Sequence, residues 1–292
     1  MQAVPEAPRT VAFPSGEERP ALGLGTCGFG VDASRAAAEV RALRQALELG
    51  FRVIDTAEMY ADGGAEQVLG SALQEALRAG QGLRRDELFI VSKVLPEHAA
   101  AADVVAACQR SLRRLQLDHI DLYLLHWRSA TPLADTVRGF EQLQRRGLIR
   151  QWGVSNFDTA DLRELVAVPG GAACAANQVH YSLSQRGVAW DLLPWQRLQQ
   201  MPLMAYSPLD QGELIDHPAL RPLAHRHGVT PAQVALAWVL HQPGVMAIPK
   251  AGRLLHLRHN AAAAGLRLGL ADLAAIDRAF APPARKQPLS MR

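Results

Sequence analysis

Short apolar runs alternate with longer amphipathic stretches along most of the chain. The runs are apolar at successive positions, which is typical of strands in a parallel sheet that helices cover. Eight such runs predict strands at 21–27, 52–57, 88–94, 121–127, 149–156, 175–181, 202–208 and 245–250.

The stretches between these runs carry helical signals. Ser34 is suited to cap a helix whose body is rich in Ala and Leu and which ends at Gly50. The same pattern predicts helices at 34–49, 67–78, 101–115, 133–146, 158–166 and 231–241.

Eight strand–helix units predict an α/β fold of the (β/α)₈ (TIM) barrel type. Residues 10–25 are expected to form an additional β-hairpin with Ser15 and Gly16 at its turn, and an extra helix is expected near the C-terminus. After Phe280 the tail is polar and rich in Pro, so we expect it to lie on the surface or at the rim. The 292 residues contain no internal linker, and a barrel of this size commonly forms one domain, so we expect a single domain over residues 1–292.

Composition narrows the class of protein. Hydrophobic residues make up 49% and charged residues 20%, as in a soluble globular chain with a sizeable core. The net charge is only +3 and no long basic block concentrates it, so a nucleic-acid surface is not indicated.

The three cysteines Cys27, Cys108 and Cys174 lie far apart, which favours reduced thiols over a disulfide framework or a zinc cluster. No leader pattern or membrane-length apolar segment stands out, so we expect a cytoplasmic protein with no membrane partner.

Polar residues end most of the apolar runs. In a (β/α)₈ barrel the active site lies at the carboxyl ends of the strands, so these positions are the candidates for chemistry. They are Asp55, Lys93, His126, Ser155, Asn156, Gln178, Tyr206, Ser207 and Lys250.

Asp55, Lys93 and His126 follow three successive strands, and Tyr60 lies in the loop after Asp55. Asp55 would hold the Lys93 ammonium, and that charge would lower the pKa of the Tyr60 phenol and make it a usable general acid. His126 would orient a carbonyl oxygen by donating a hydrogen bond. Together the four groups predict protonation of a carbonyl oxygen, with a hydride that must come from a cofactor.

Each of these residues alone also fits an ordinary structural role. An Asp–Lys pair is often a structural ion pair, a histidine after a strand is often a rim residue, and Tyr60 alone would serve as a loop anchor. The combination at successive strand ends is what favours catalysis.

The chain resembles the aldo-keto reductases over nearly its whole length. The segments that carry the resemblance are GFRVIDTAEMY, FIVSKV, IDLYLLHW, IRQWGVSNF, NQVHYS, MAYSPL and AIPK, in that order. The resemblance implies a catalytic tetrad of Asp55, Tyr60, Lys93 and His126 that reduces aldehydes and ketones. It also implies a monomeric barrel that binds NADPH without a Rossmann fold, and no GxGxxG follows the first strand.

The resemblance also implies the cofactor site. Gly25 and Thr26 would lie near the nicotinamide, Tyr206 would stack on its ring, and Asn260 would contact adenine. The full set is Gly25, Thr26, Asp55, Ser155, Asn156, Gln178, Tyr206, Ser207, Leu209, Lys250, His256 and Asn260.

Two positions after Lys250 depart from the family. Ala251 stands where Ser is frequent, and His256 stands where an arginine often binds the ribose 2′-phosphate. Arginine is always charged, whereas histidine is charged only in part near neutral pH. We therefore expect NADPH to be preferred, with a preference over NADH that weakens as pH rises, unless Arg253 or Arg258 takes over.

The substrate pocket is expected above the tetrad. Its candidate residues are Cys27, Met59, Tyr60, His126, Trp127 and the loop around Leu214. Cys27 replaces a bulky aromatic, and the segments DTAEMYADGGAE and PPARKQPL resemble a bacterial subgroup that includes methylglyoxal reductases. That likeness implies small aldehydes and α-dicarbonyls as substrates.

Three other functions compete with this one. A Schiff-base aldolase would use Lys93 as its nucleophile, but Asp55 would oppose the uncharged amine. A metal-dependent hydrolase needs clustered histidines, and only His126 and His180 fall near strand ends. A nucleotide-sensing protein with little turnover would keep the cofactor site and lose the chemistry.

Overall fold

Eight short parallel strands surround the centre of the molecule. The computed structural model describes residues 9–79 and 82–291. An N-terminal hairpin of β1 (Thr10–Ala12) and β2 (Glu18–Pro20) precedes the barrel. The barrel strands are β3 (Leu24–Gly25), β4 (Val53–Asp55), β5 (Phe89–Val94), β6 (Ile120–Leu125), β7 (Ile149–Ser155), β8 (Asn177–His180), β9 (Leu203–Tyr206) and β10 (Val245–Ala247). All eight predicted strands and the hairpin are confirmed, although each strand is shorter than its apolar run.

The sheet follows the order of the sequence and closes on itself. Strands β3 to β10 pair in parallel, each with its neighbour in the chain. Isolated bridges join Leu22 to Ala247 and Gly25 to Lys250, so β10 returns to β3. The carboxyl ends of all eight strands therefore meet at one rim, where a (β/α)₈ barrel has its active site.

Helices cover the outside of the barrel. They are α1 (Ala36–Glu48), α2 (Gly64–Arg78), α3 (Ala101–Leu115), α4 (Leu133–Arg145), α5 (Thr159–Ala167), α6 (Leu192–Leu198), α7 (Arg221–His227), α8 (Pro231–His241), α9 (Leu254–Ala263) and α10 (Leu270–Ala279). The six predicted helices and the extra helix near the C-terminus are confirmed. Helix α2 begins three residues earlier than predicted, because Gly63 takes a left-handed backbone and caps it.

The hairpin covers the opposite end of the barrel from the rim. The Phe13 ring lies 5.0 Å from the ring of Phe89 at the start of β5. Gln151 of β7 donates to Glu17 at 3.0 Å, which ties the turn to the sheet. In the described part of the chain, none of the helices combines the length and apolar character needed to cross a membrane. Residues 1–8, which the leader prediction includes, lie outside the described range.

Candidate active site

The four predicted catalytic residues lie together at the rim. Asp55 ends β4, Lys93 lies near the end of the adjacent β5, and His126 directly follows β6. Tyr60 comes from the loop after β4, and its ring lies edge-on to the His126 ring at 5.8 Å between centroids. The pairing of neighbouring strands therefore gathers at one place four groups that are spread over 71 positions of the sequence, from Asp55 to His126.

Lys93 is the centre of the group. Its side chain is fully buried, and its Nζ lies 2.7 Å from Asp55 Oδ2, 2.9 Å from the Thr56 carbonyl oxygen and 3.2 Å from the Tyr60 hydroxyl. An ammonium has three hydrogens and no acceptor, so each hydrogen has one of these oxygens as a partner. The predicted contact between Asp55 and Lys93 is therefore present, and Lys93 Nζ has oxygen atoms as its three partners.

The environment of Tyr60 corrects one prediction. Burial, followed by the negative charge of Asp55, raises the pKa of the Tyr60 phenol well above its ordinary value. The net shift is opposite to the lowering that the sequence predicted, because burial and the nearby Asp55 carboxylate outweigh the effect of the Lys93 ammonium, 3.2 Å from the hydroxyl. The phenol is therefore fully protonated near neutral pH, which is the form that a proton donor needs.

His126 is a neutral imidazole. Burial, with a smaller contribution from the Lys93 charge, lowers the pKa of His126 to about 3. A neutral ring carries one N–H, so His126 has a single hydrogen bond to donate. That donor beside a protonated phenol gives the rim two groups able to contact one substrate oxygen.

Asp55 connects the tetrad to the predicted cofactor residues. Its second carboxylate oxygen accepts a hydrogen bond from Gln178 Nε2 at 2.8 Å. Its backbone oxygen accepts from both the amide and the hydroxyl of Thr26, each at 3.0 Å. The sequence assigned Thr26 and Gln178 to the cofactor but did not predict that Thr26 holds the Asp55 backbone and Gln178 its carboxylate.

A second network joins the residues predicted to bind the nicotinamide. Tyr206 donates to Asn156 Oδ1 at 2.9 Å, and Asn156 Nδ2 lies 3.1 Å from the His126 carbonyl oxygen. Ser155 donates to the Gln178 carbonyl oxygen at 2.9 Å. Asn156 takes a left-handed backbone with φ of 59°, which aims its amide across the rim.

The Tyr206 ring has a partner that the sequence did not indicate. The His180 ring stacks against it at 5.5 Å and 13°. His180 is held by Asp210 at 3.3 Å and by Ser290 of the C-terminal tail at 3.0 Å. These partners lie 30 and 110 positions away in the chain, so no local signal pointed to them.

The predicted phosphate side of the rim is open. Lys250 and His256 are exposed, with the Lys250 Nζ lying over the Phe29 ring at 5.3 Å. Helix α9 begins at Leu254 without a side-chain cap, so its first N–H groups face the same region as Arg253. Uncapped N–H groups next to cations suit an anion. Asn260 is buried on the same helix, and Ser207 and Leu209 are half-buried after β9.

The residues predicted to line the substrate pocket differ in their exposure to solvent. Cys27 is exposed, Met59 is 44% exposed and Trp127 is half-buried against the His126 ring at 5.0 Å. Leu214 is buried, while its neighbour Ile215 is exposed. Within residues 9–79 and 82–291, His, Cys, Asp and Glu side chains form no group of three or more suited to a metal ion.

Two buried carboxylates near the tetrad escaped the sequence reasoning. Glu58 and Glu66 are 5% and 0% exposed and lie on either side of Tyr60. Glu66 shares a helix face with Leu69 and Leu73. A carboxylate on such an apolar face indicates a buried group, and this was the signal in the sequence that could have identified Glu66. The cation that reaches both of them, Arg114, is distant in the chain.

The chain matches one protein family over most of its length. The model described as "Aldo/keto reductase family" covers residues 21–281. The chain is 48% identical to methylglyoxal reductase YeaE of Escherichia coli (strain K12), over 97% of this chain and 99% of that protein. It is 38% identical to glyoxal reductase of Bacillus subtilis (strain 168), over 92% and 91%.

Solved structures share the same architecture. An aldo-keto reductase from Klebsiella pneumoniae, crystallised in complex with NADPH, superposes with a TM-score of 0.92 at 46% identity. The match covers 98% of this chain and 100% of that one. A thermostable aldo-keto reductase, Tm1743, crystallised with the inhibitor epalrestat, gives a TM-score of 0.84 at 38% identity, over 94% and 99%.

Proposed function

Because the chain belongs to the aldo/keto reductase family, we propose that it reduces small aldehydes and α-dicarbonyls to alcohols with NADPH. The observation that carries the proposal is the Lys93 contact set. A buried ammonium joins Asp55 at 2.7 Å to the hydroxyl of a protonated Tyr60 at 3.2 Å. This arrangement supplies a proton to an oxygen that is gaining negative charge.

The same contacts argue against a Schiff-base aldolase. A nucleophilic lysine needs a free lone pair on Nζ. Lys93 instead has an oxygen partner for each of its three ammonium hydrogens, and Asp55 stabilises the charged form. Lys93 therefore supports the acidity of Tyr60 and does not attack the substrate.

The residues at the rim fit NADPH. Gln178, Asn156 and Ser155 offer amide and hydroxyl groups that suit a neutral, planar carboxamide. Tyr206 presents an aromatic ring held from behind by His180. Lys250 and Arg253, beside the uncapped start of α9, suit the phosphates. When bound, the reduced nicotinamide supplies the hydride.

In this mechanism the chain does three things. His126 donates its single N–H to the carbonyl oxygen and orients it. Tyr60 gives its proton to that oxygen, and Lys93, fixed by Asp55, stabilises the phenolate that forms. The half-buried Trp127 and the exposed Met59 border the place where the substrate would lie.

The proposed substrate class rests on three observations. Cys27 gives one wall a small side chain, and only 5% of the residues are aromatic, so a deep aromatic pocket is not expected. Two relatives are named as reductases of methylglyoxal and glyoxal, both small α-dicarbonyls. We further propose a single-domain monomer in the cytoplasm, which is supported by one continuous core and three free cysteines.

The first experiment is NADPH oxidation with methylglyoxal by the wild type, Tyr60→Phe and Tyr123→Phe. Tyr123 is a matched control, since it is a buried tyrosine that contacts none of the tetrad. We expect turnover in the wild type and the control, and a loss of about 100-fold or more in Tyr60→Phe, which lacks its general acid. Tyr60→Phe should still bind NADPH. A wild type that binds NADPH tightly but reduces neither methylglyoxal nor a panel of other aldehydes would contradict the proposal.

A further inference from the structure

A second charged cluster lies on the other side of the barrel wall from the tetrad. It consists of Glu58, Glu66, Ser92 and Arg114, and we call it the outer cluster. Successive residues of a strand point to opposite faces. Lys93 therefore reaches Asp55 and Tyr60 inside the barrel, while Ser92 reaches Glu66 of α2 outside it.

The outer cluster holds both ends of the loop that carries Tyr60. Glu66, after the loop, accepts from Ser92 Oγ at 2.6 Å and from Arg114 Nε at 2.6 Å. Glu58, before the loop, accepts from the Leu95 amide at 2.8 Å and lies 2.9 Å from His98, 3.5 Å from Arg110 and 4.0 Å from Arg114 Nη2. Arg114 is thus the cation shared by the two buried carboxylates that bracket Tyr60.

The loop between these carboxylates has a backbone that needs support. Ala61, Asp62 and Gly63 all take left-handed φ angles, of 52°, 51° and 84°. Two of them carry a Cβ, for which this conformation is unfavourable. Such a backbone persists only where its surroundings hold it, and a different loop conformation would move Tyr60.

Arg114 also touches the loop directly. A Cβ on Gly63 would lie 2.4 Å from Arg114 Nε, so the Arg114 side chain packs against the Gly63 backbone. Only a residue without a side chain fits there. Arg114 therefore contacts the strained segment itself as well as the carboxylates at its two ends.

We propose that Arg114 is a positioning residue for Tyr60, an inference that rests on the reductase function proposed above. Arg114 binds Glu66 at 2.6 Å, packs against Gly63 and makes a longer contact with Glu58. These contacts support the loop, and the loop places the Tyr60 hydroxyl 3.2 Å from Lys93 Nζ. Rates of proton transfer depend on distances of this kind, and a displacement of about 1 Å can lower a rate about 100-fold.

The test compares Arg114→Lys with Arg113→Lys. Lysine keeps the charge of Arg114, but its single ammonium lacks the planar fork that spans Glu66 and Glu58. Arg113 is the adjacent, exposed residue of α3, so its substitution is a matched control. We expect kcat for methylglyoxal to fall about 10- to 100-fold in Arg114→Lys, with an unchanged Kd for NADPH. The control should behave as the wild type.

A double-mutant cycle separates positioning from a general structural role. If Arg114 acts through Tyr60, then Arg114→Lys should lower kcat strongly in the wild type and not at all in Tyr60→Phe. Equal losses in both backgrounds would overturn the proposal. A folded Arg114→Lys variant with the wild-type kcat would also overturn it. If Tyr60→Phe is inactive in the same experiment, the reductase function would stand and only the role of Arg114 would be wrong. If Arg114→Lys does not fold, Ser92→Ala removes one contact of Glu66 and should give a smaller loss of kcat in the same cycle.

Discussion

The barrel rim has a buried half around Lys93 and an exposed half around Lys250, and the two halves hold their lysines in opposite ways. Lys93 is fully buried, with an oxygen within 3.2 Å for each ammonium hydrogen. Lys250 is exposed and lies over the face of Phe29. The first lysine is fixed by the protein before any ligand arrives, whereas the second has room to adjust to a phosphate. We therefore expect changes on the Lys93 side to alter the rate of the chemical step and changes on the Lys250 side to alter cofactor affinity.

The largest effect is expected for Asp55→Asn. The change leaves the Lys93 ammonium buried without a counterion, which is unfavourable by about 3–5 kcal/mol for a broken buried pair. It also removes the group that keeps Lys93 charged beside Tyr60, so kcat should fall about 100-fold or more. Urea unfolding and NADPH oxidation measure the two losses.

Asp103→Asn is the matched control for Asp55→Asn. Asp103 is exposed in the first turn of α3, so neither stability nor rate should change appreciably. An Asp55→Asn variant with wild-type kcat would show that the buried half of the rim is not organised by this ion pair.

Lys250→Met should weaken the binding of NADPH without changing the rate of the chemical step. A hydrogen bond to a charged group contributes about 1.5–3 kcal/mol, so the KM for NADPH should rise about tenfold or more. The kcat at saturating NADPH should stay near the wild-type value, because the Lys250 ammonium lies over the Phe29 ring, whereas Lys93 is the lysine that contacts Asp55 and Tyr60. Arg113→Met removes the same charge from α3 and should leave both constants unchanged. A large fall in kcat for Lys250→Met would contradict the division between the two halves.

The division between the halves also explains how much the sequence predicted. The eight strands could be predicted because each apolar run is visible in a short stretch of sequence. Asp55, Lys93 and His126 then lie close together because neighbouring strands pair. Glu58 and Glu66 were missed because burial depends on Arg114, which lies 48 positions beyond Glu66.

The sequence also did not predict the direction of the Tyr60 pKa shift. The residues identify a phenol near an ammonium, which favours the phenolate. They do not give the burial of the phenol or the effect of the nearby Asp55 carboxylate on it. His180 and Ser290 illustrate the same limit, since their contact joins β8 to a tail 110 positions away.

A smaller effect is expected from His256 on the exposed side. An imidazolium attracts the 2′-phosphate of NADPH, and an imidazole without its second proton does not. The ratio of kcat/KM for NADPH to that for NADH should therefore fall a few-fold as pH rises. His256→Arg should remove this dependence and raise the ratio. A wild-type ratio that does not vary with pH would assign the phosphate to Arg253 or Arg258.

The smallest effect is expected for kcat as pH changes, and it tests the buried half directly. Burial and Asp55 raise the pKa of Tyr60 well above its ordinary value, so the phenol keeps its proton until pH rises beyond the usual phenol range. Burial lowers the pKa of His126 to about 3, so the imidazole becomes charged only as pH falls toward that value. Between about pH 6 and about pH 9 neither group titrates, and kcat at saturating NADPH and methylglyoxal should change by less than about twofold. A fall in kcat toward pH 9 would mean that Lys93 lowers the pKa of Tyr60 during turnover, and the buried half of the rim would then share the pH sensitivity expected of the exposed half.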